Sequence, residues 1–308
     1  ENITFAGVYG ESVEVGLTAE DDLSGIGQIS YLQSEGILTQ EQLENAGEWI
    51  NGEEFTVSAE DGKKFIIYGK AVDLAGNTVY FASEGGEFDL KGPEVGGVES
   101  GGIYYVTQVV HVTDAHPGVV ILNGEPVSGD VILPGNREAV YIIRAVDLVG
   151  NETIATVTMK SVNSLMESIR ELTENNVTSD DGEKVLQVLE TAENALGGNA
   201  SLEERKALQT VIAACKVLDE RLEAIEKEYD RMESEADSIL QNPVKLTDQG
   251  ALEKVEEGLG KLLEEYGSNY TEEERSRIEA DLFRVKEALE SIRKVQGVEN
   301  IMAALPDA

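Results

Sequence analysis

Cysteine is nearly absent from this 308-residue sequence: Cys215 is the single one, so no intrachain disulfide can form. Cys215 falls on the apolar stripe of a predicted helix, without a histidine or a basic cluster near it in sequence, which favours a packed thiol over a reactive one. No stretch approaches the roughly 20 apolar residues of a membrane span, and no signal peptide opens the chain. Because the chain starts at Glu1 and not at methionine, we expect it to be a segment of a larger protein.

Basic residues are scarce, since 24 lysines and arginines face 60 aspartates and glutamates, for a net charge of −36. The acidic excess runs through both halves of the chain and is therefore not confined to a tail. A surface this anionic repels phosphate backbones and anionic lipids, which argues against nucleic-acid binding and membrane insertion. It suits a protein that works outside the cell or one that binds cations.

The residues of the common catalytic constellations are also few. His111 and His116 are the only histidines, and neither their spacing nor the cysteine content completes a zinc site. The sequence has no GxSxG nucleophile elbow, and no glycine-rich segment leads into a helix that could hold phosphate. With 60 acidic residues, carboxylate pairs occur by chance and predict no glycosidase. We therefore predict a protein that is not an enzyme and needs no cofactor.

Residues 1–160 are rich in glycine, valine, threonine and tyrosine, and their short apolar runs lie between turn signals. Asn123-Gly124, placed between two apolar runs, is a strong hairpin signal. Short strands at this spacing are typical of β-sandwiches. We predict two immunoglobulin-like sandwiches, at residues 1–92 and 93–160.

From Ser161 onward, apolar residues recur every three or four positions and no longer at every second position. Ten apolar residues from Leu208 to Ile239 follow the 3-4 spacing of a heptad seam, and no glycine or proline interrupts residues 201–241. This predicts one helix of about 60 Å. With short loops around it, the pattern predicts an elongated antiparallel helical bundle, all-α, made of three-helix modules at 161–228 and 229–308 that share the long helix.

A short insertion in the first predicted sandwich carries the only tryptophan, Trp49. Thr39 and Gln42 form a capping-box pair, which predicts a helical turn. Trp49 is favoured as a plug at one end of the core. The alternative is a ligand platform, for which Trp49 and Tyr31 are the candidate binding residues.

The phrase Ala-Val-Asp-Leu-x-Gly-Asn occurs at 71–77 and again at 145–151. The favoured interpretation is a tight hairpin turn, in which Asp73 and Asp147 accept hydrogen bonds from the turn backbone and the glycines supply positive φ. Val72 and Val146 are then expected to point into the core.

The alternative for the repeated phrase is calcium binding. Asp73 and Asp147 are calcium candidates, and the acidic run with Asp21 and Asp22 is another. Calcium takes six to eight oxygen ligands, and each phrase offers about two side-chain candidates. We therefore predict no metal site, with calcium as the less favoured alternative.

The repeated phrase, with the Asp-Gly-Lys-Lys turn at 61–64 before the first copy and Gly92-Pro93 after it, resembles the tandem immunoglobulin-like repeats of large Gram-positive bacterial cell-surface proteins. The runs at 18–31 and 110–127 resemble those repeats too. The helical half is similar to the three-helix modules that often accompany them.

The resemblance implies an extracellular module, at the cell surface or secreted, that acts as a spacer or presents other domains. Two alternatives stay open. One is an adhesive module that binds a glycan, a host protein or a cell-wall protein. The other is an accessory region of a larger carbohydrate-active enzyme.

Overall fold

The computed structural model describes residues 7–303, so the outermost residues of the predicted ranges 1–92 and 229–308 lie outside the described part. The chain divides into two compact units. One contains Glu1–Pro134 and Glu138–Met159, and the other contains Gly135–Arg137 and Lys160–Ala308. All the described strands belong to the first unit, and the long helices belong to the second. The expected order, strands first and helices after, is confirmed.

The first strand group comprises β1 to β8 and one short helix. Its bounds are β1 Gly7–Tyr9, β2 Val13–Gly16, β3 Ile26–Ser34, α1 Gln40–Asn45, β4 Ile50–Asn51, β5 Glu54–Val57, β6 Lys64–Asp73, β7 Thr78–Ala82 and β8 Gly86–Phe88. Strand β6 is central to the larger sheet, with β3 on one side and both β7 and β8 on the other. Strands β2 and β5 form a separate two-stranded sheet. The helix has the predicted capping box between Thr39 and Gln42.

The second strand group comprises β9 to β16. Its bounds are β9 Glu94–Gly96, β10 Ile103–Tyr104, β11 Gln108–Thr113, β12 Pro117–Leu122, β13 Glu125–Val127, β14 Val131–Leu133, β15 Ala139–Asp147 and β16 Glu152–Met159. One sheet has the order β10-β16-β15-β12-β13, and the other has the order β14-β11-β9. The predicted hairpin at Asn123-Gly124 is confirmed, since both residues have positive φ between β12 and β13.

In each strand group the core lies between the two sheets. The first core contains Val57 from the small sheet and Phe65, Ile67 and Phe88 from the large one. The second core is built alike, with Val110, Val131 and Leu133 facing Ile143, Val157 and Met159. Strand alternation sends neighbouring side chains to opposite faces, and this is what lets each sheet bury one face against the other.

The expectation that Val72 and Val146 point into the core is wrong. Their neighbours Ala71 and Ala145 are buried, and both valines are half-buried. Because successive side chains in a strand alternate between faces, a buried alanine places the adjacent valine on the other face of the sheet. The small residue at the core position leaves room for the facing sheet.

The second unit contains five helices in its described part. They are α2 Val162–Ile169, α3 Ser179–Leu196, α4 Leu202–Leu240, α5 Gln249–Glu265 and α6 Glu272–Ala303, with a 3₁₀ turn at Leu246–Asp248. The long helix predicted at 201–241 is confirmed, and Ser201 and Glu204 form its capping box. At 39 residues it spans about 58 Å.

The predicted seam of α4 is its packed face. Seven of the ten seam residues are buried, namely Leu208, Val211, Cys215, Leu218, Ile225, Met232 and Ala236. The N-terminal half of the helix packs against α2 and α3, and the C-terminal half packs against α5 and α6. Cys215 is fully buried, and this burial raises the pKa of its thiol, as expected for a packed side chain.

Candidate functional site

Both copies of the repeated phrase form the same turn. Asp73 accepts hydrogen bonds from the backbone N–H of Asn77 (2.8 Å) and from its side-chain amide (2.6 Å). The amide of Asn77 lowers the pKa of Asp73. Gly76 and Gly150 have φ of 92° and 98°, a conformation that favours glycine.

Asp147 is held more tightly than Asp73. Its Oδ1 accepts the backbone N–H groups of Val149, Gly150 and Asn151 at 2.7–2.9 Å, and its Oδ2 accepts the side-chain amide of Asn151 at 2.7 Å. Asp147 is buried, with 5% of its surface exposed. One carboxylate therefore organises the whole turn.

The acidic run near residue 20 has a local role in the structure. One oxygen of Asp21 accepts hydrogen bonds from the backbone and hydroxyl of Ser24 and from the backbone of Gly25, each at 2.7 Å. The Ser24 hydrogen bonds lower the pKa of Asp21. Asp22 is exposed. At these two residues the prediction remains no metal site, with calcium binding as the less favoured alternative.

Three carboxylates converge where the two strand groups meet. Asp89 follows β8, Asp114 follows β11, and Asp147 ends β15. One oxygen from each lies within 4.8 Å of the other two, and Asp89 and Asp147 are buried. Strand ends from both groups thus bring together three residues that are far apart in sequence.

His116 and Asn151 connect these carboxylates. The imidazole Nδ1 of His116 is 2.8 Å from Asp89 Oδ2, and the backbone N–H of His116 donates to Asp114 at 2.7 Å. The side-chain amide of Asn151 donates to the carbonyl oxygen of Asp89 at 2.9 Å and to Asp147. We call these five residues, Asp89, Asp114, His116, Asp147 and Asn151, the joint.

The joint contains the oxygen ligands that a cation site would need. Asp89, Asp114 and Asp147 are the residues that could hold an ion such as calcium, which takes oxygen ligands. However, the hydrogen bonds to Asp147 use the same oxygens that an ion would take, and Asp89 is engaged by His116. The donor set therefore fits a hydrogen-bonded connection better than an ion cage.

The structure does not bring the two candidate binding aromatics together. Tyr31 packs on the core between the sheets and stacks on Phe55, with ring centroids 3.6 Å apart. Trp49 packs on the opposite face of the large sheet, over a smaller cluster with Leu32, Leu43, Ile66 and Tyr68. Its indole N–H donates to the carbonyl oxygen of Leu43 at 3.2 Å. Trp49 thus closes the space between α1 and the sheet.

Sequence reasoning identified Asp147 but missed Asp89 and Asp114 as its neighbours. For Asp89 the sequence did offer one signal, which is its position directly before the segment that links the two strand groups. His111 and His116 were considered as zinc ligands, whereas in the structure each contacts an aspartate: His111 lies 2.7 Å from Asp130, and His116 contacts Asp89.

Comparisons with solved structures find proteins of low sequence identity that match about half of this chain. Fibronectin(III)-like modules of Clostridium thermocellum CbhA are 9% identical, over 51% of this chain and 90% of theirs, with a TM-score of 0.26. The FN1-FN3 domains of chicken CNTN1 are 11% identical, over 51% of this chain and 65% of theirs, with a TM-score of 0.22.

A third similar structure is that of Bacteroides ovatus SGBP-B, from a mixed-linkage glucan utilization locus, in complex with a mixed-linkage heptasaccharide. It is 12% identical, over 50% of this chain and 42% of its own, with a TM-score of 0.18. TM-scores this low carry no argument about function. No protein-family model matches the chain, and no curated protein is similar to it in sequence. Among the described helices, none is long and apolar enough to cross a bilayer.

Proposed function

We propose that the chain is a non-catalytic, extracellular segment of a bacterial cell-surface protein that spaces or presents other domains. In this proposal the two strand groups are immunoglobulin-like sandwiches, at 1–92 and 93–160. The helices form two three-helix modules, at 161–228 and 229–308, which share the long helix. A spacer has to resist bending, so its function depends on how rigidly its modules are connected.

The observation that carries the proposal is the linker between the two strand groups, which both groups hold. From the first group, Asp61 accepts the backbone N–H of Leu90 at 3.1 Å and pairs with Lys91 at 2.6 Å. From the second group, Asn151 donates to the carbonyl oxygen of Lys91 at 3.3 Å. A side chain at Gly92 would meet Thr153 at 2.9 Å, so the linker lies against β16.

The helical unit has connections of the same kind. Helix α4 continues from one predicted module into the next without a break. The loop before α6 also contacts the loop before α3, because Ser268 donates to the carbonyl oxygen of Asn175 and Asn269 donates to those of Glu174 and Val177. A hinge between these two helical modules would have to break these bonds as well as bend the helix.

A specific observation favours a second candidate function, binding of a glycan or protein. Trp49 is half-buried, its ring lies 5.7 Å from that of Tyr80, and Lys70 Nζ lies 5.7 Å from the Trp49 centroid. Aromatic rings beside a cation are common in binding surfaces. The spacer proposal is preferred because Trp49 already fills a structural space. Saturable glycan binding that Trp49→Ala abolishes, in a protein that melts normally, would reverse this preference.

A distance measurement tests the spacer proposal. Spin labels on Gln33→Cys and Glu125→Cys, in a Cys215→Ala background, report the distance between the two strand groups. Both positions are exposed, so labelling does not disturb a core. We expect one narrow distance distribution, as narrow as that of a control pair within the first group, Gln33→Cys with Glu54→Cys.

The same labels on an Asn151→Ala variant complete the experiment. Removing this amide deletes the contacts to Asp89 and Lys91, so the distribution between the groups should broaden while that of the control pair does not. A broad distribution in the unmodified joint would contradict the spacer proposal, because a flexible joint cannot hold a presented domain at a fixed distance.

A further inference from the structure

The large sheets of the two strand groups each carry one cation on the face turned away from the core. The repeated phrase aligns Lys70 of β6 with Arg144 of β15, because each directly precedes Ala-Val-Asp. It also aligns Thr78 with Glu152, because each directly follows Gly-Asn. Arg144 pairs with Glu152 at 2.5 Å. The first group therefore has a threonine where the second group has the acid partner of its cation.

Lys70 differs from the other lysines of the first strand group. Those three pair with carboxylates, Lys63 with Glu60, Lys64 with Glu87 and Lys91 with Asp61. No carboxylate of residues 7–303 pairs with Lys70, whose side chain is half-buried and has its ammonium 5.7 Å from the centroid of the Trp49 ring. An ammonium without an acid partner keeps its donors for an oxygen of another molecule.

Two side-chain amides lie next to Lys70 on the same face. Ser30 of β3 is opposite Lys70 on one side and opposite Asn51 of β4 on the other. Gln28 Nε2 donates to Ser30 Oγ at 3.0 Å and to Asn51 Oδ1, and Ser30 Oγ donates to Asn51 Oδ1 at 2.9 Å. These bonds fix the direction of both amides. In the described part of the chain they leave Asn51 Nδ2 as a donor and Gln28 Oε1 as an acceptor, on exposed side chains.

An aromatic ring lies on the other side of Lys70. Tyr80 of β7 is opposite Lys70 in the sheet, is half-buried, and has its ring centroid 5.7 Å from that of Trp49. From Asn51 to Tyr80 the groups cross four neighbouring strands, a distance of about 14 Å. We call Gln28, Asn51, Lys70 and Tyr80 the polar row.

The second strand group has no polar row at the equivalent place. Arg144 lies there between Ile121 of β12 and Ile154 of β16. The cation is thus paired with an acid and flanked by apolar side chains, whereas Lys70 is flanked by a hydroxyl, amides and a phenol. Only the first group combines an available ammonium with amide groups.

The chemistry of the polar row indicates the class of molecule that it fits. A hydroxyl group both donates and accepts hydrogen bonds, whereas a carboxylate only accepts them. The row offers donors on Lys70 and Asn51 and an acceptor on Gln28, so it matches hydroxyl groups. The net charge of −36 also disfavours an acidic ligand.

We propose that the polar row binds an uncharged saccharide. Lys70 Nζ and Asn51 Nδ2 donate to sugar oxygens, Gln28 Oε1 accepts from a sugar hydroxyl, and the Tyr80 ring supplies the apolar contact. Trp49 supports Lys70 from the side of α1 and keeps its structural place. The proposal rests on the second candidate function, which it deepens by naming the ligand class and its contacts, and it does not depend on the spacer role.

Calorimetric titration of the full chain tests the proposal. The probes are uncharged tetrasaccharides of glucose, mannose, galactose and N-acetylglucosamine, with tetragalacturonate as the acidic comparison, each at millimolar concentration. We expect saturable binding of at least one uncharged probe and weaker binding of the acidic one.

Two substitutions and one matched control locate the site. Thr78→Glu supplies the acid that the second group has at Glu152, so it should pair with Lys70 and weaken binding about tenfold without lowering the melting temperature. Lys70→Met keeps most of the stem beside Trp49 and should weaken binding by a similar factor. Arg144→Met removes the equivalent cation of the second group and should leave the affinity unchanged.

Four results would overturn the proposal. They are no saturable binding of any uncharged probe, unchanged affinity in Lys70→Met, tighter binding of tetragalacturonate than of the uncharged probes, and binding that appears only after deletion of residues 1–6. None of them affects the spacer proposal, which the distance between the strand groups tests separately.

Discussion

The two copies of Ala-Val-Asp-Leu-x-Gly-Asn form the same turn in different surroundings. Asp73 is half-buried in the first strand group, and Asn77 supplies its side-chain partner. Asp147 is buried, organises its turn with four hydrogen bonds, and lies beside Asp89 and Asp114. A local phrase thus determines a local shape, whereas its role depends on what the rest of the fold places next to it.

The same two hairpins differ in the size of one pair of facing residues. Gly69 of β6 lies opposite Phe81 of β7, and an added Cβ at Gly69 would meet the Phe81 ring at 2.0 Å. At the equivalent place, Ile143 lies opposite Ala155. Large and small residues are exchanged between the two copies, so each pair fills its space in the opposite order.

The largest expected effect comes from breaking this complementarity. Gly69→Ile should destabilise the chain by about 3 kcal/mol, because the new side chain overlaps the Phe81 ring. Adding Phe81→Ala recreates the order of the second copy and should recover part of the loss. Urea unfolding of both single variants and the double variant measures the coupling. If the losses in unfolding free energy are additive, the Gly69–Phe81 pair is not equivalent to the Ile143–Ala155 pair.

The second-largest expected effect is a difference in stability between variants of Asp147 and Asp73. Asp147→Ala should cost about 2 kcal/mol, because it leaves three backbone N–H groups of the turn without the buried carboxylate that accepts them. Asp73→Ala should cost less, since water can reach the groups that Asp73 leaves. Thermal unfolding of the two variants provides the matched comparison. Equal losses would mean that burial at the joint adds nothing to the turn.

A pH series sharpens the comparison at Asp73. Its pKa lies below the ordinary value of 3.8, chiefly because of the Asn77 side chain, so the folded state favours the charged form. The resulting stability is present above the unfolded pKa and is lost as pH falls through the folded pKa. The unaltered chain should therefore melt at a higher temperature than Asp73→Asn, and this difference should shrink as the pH falls from about 5 to about 2. In an Asn77→Ala background the pH dependence should weaken, and an unchanged slope there would assign it to another group.

The smallest expected effect is that of a chelator. Because the turn amides already occupy the oxygens of Asp147, calcium removal should shift the melting temperature by no more than about 1 °C. Melting curves with chelator, and then with excess calcium or magnesium, make the measurement. A fall of several degrees that calcium alone restores would establish the calcium interpretation of Asp21, Asp22, Asp73 or Asp147.

Much of the secondary structure followed from the sequence. The seam from Leu208 to Ile239 and the cap at Ser201 predicted the long helix nearly residue for residue, since helix periodicity and capping act over a few neighbours. Asn123-Gly124 predicted its hairpin for the same reason. The predicted direction of Val72 and Val146 was wrong, because each follows an alanine that is also apolar, and alternation alone does not say which of the two faces the core.

The sequence predicted only part of the candidate site. The repeated phrase identified Asp147. Its contacts with Asp89, Asp114 and His116 were not predicted, because these residues come from the ends of different strands. Trp49 and Tyr31 looked like one aromatic surface in the sequence, yet the large sheet separates them. Such relations depend on which strands pair and in what order, and no local pattern carries that information.

The sequence by itself determined the turn of Asp73 and Asp147, the strand and helix periods, and the anionic surface, because each depends on neighbouring residues or on composition. Tertiary structure alone decided that Asp147 is buried in the joint while Asp73 stays half-buried outside it. The physical reason is that burial and strand pairing are properties of residues distant in sequence, whose contacts exist only once the sheets have assembled.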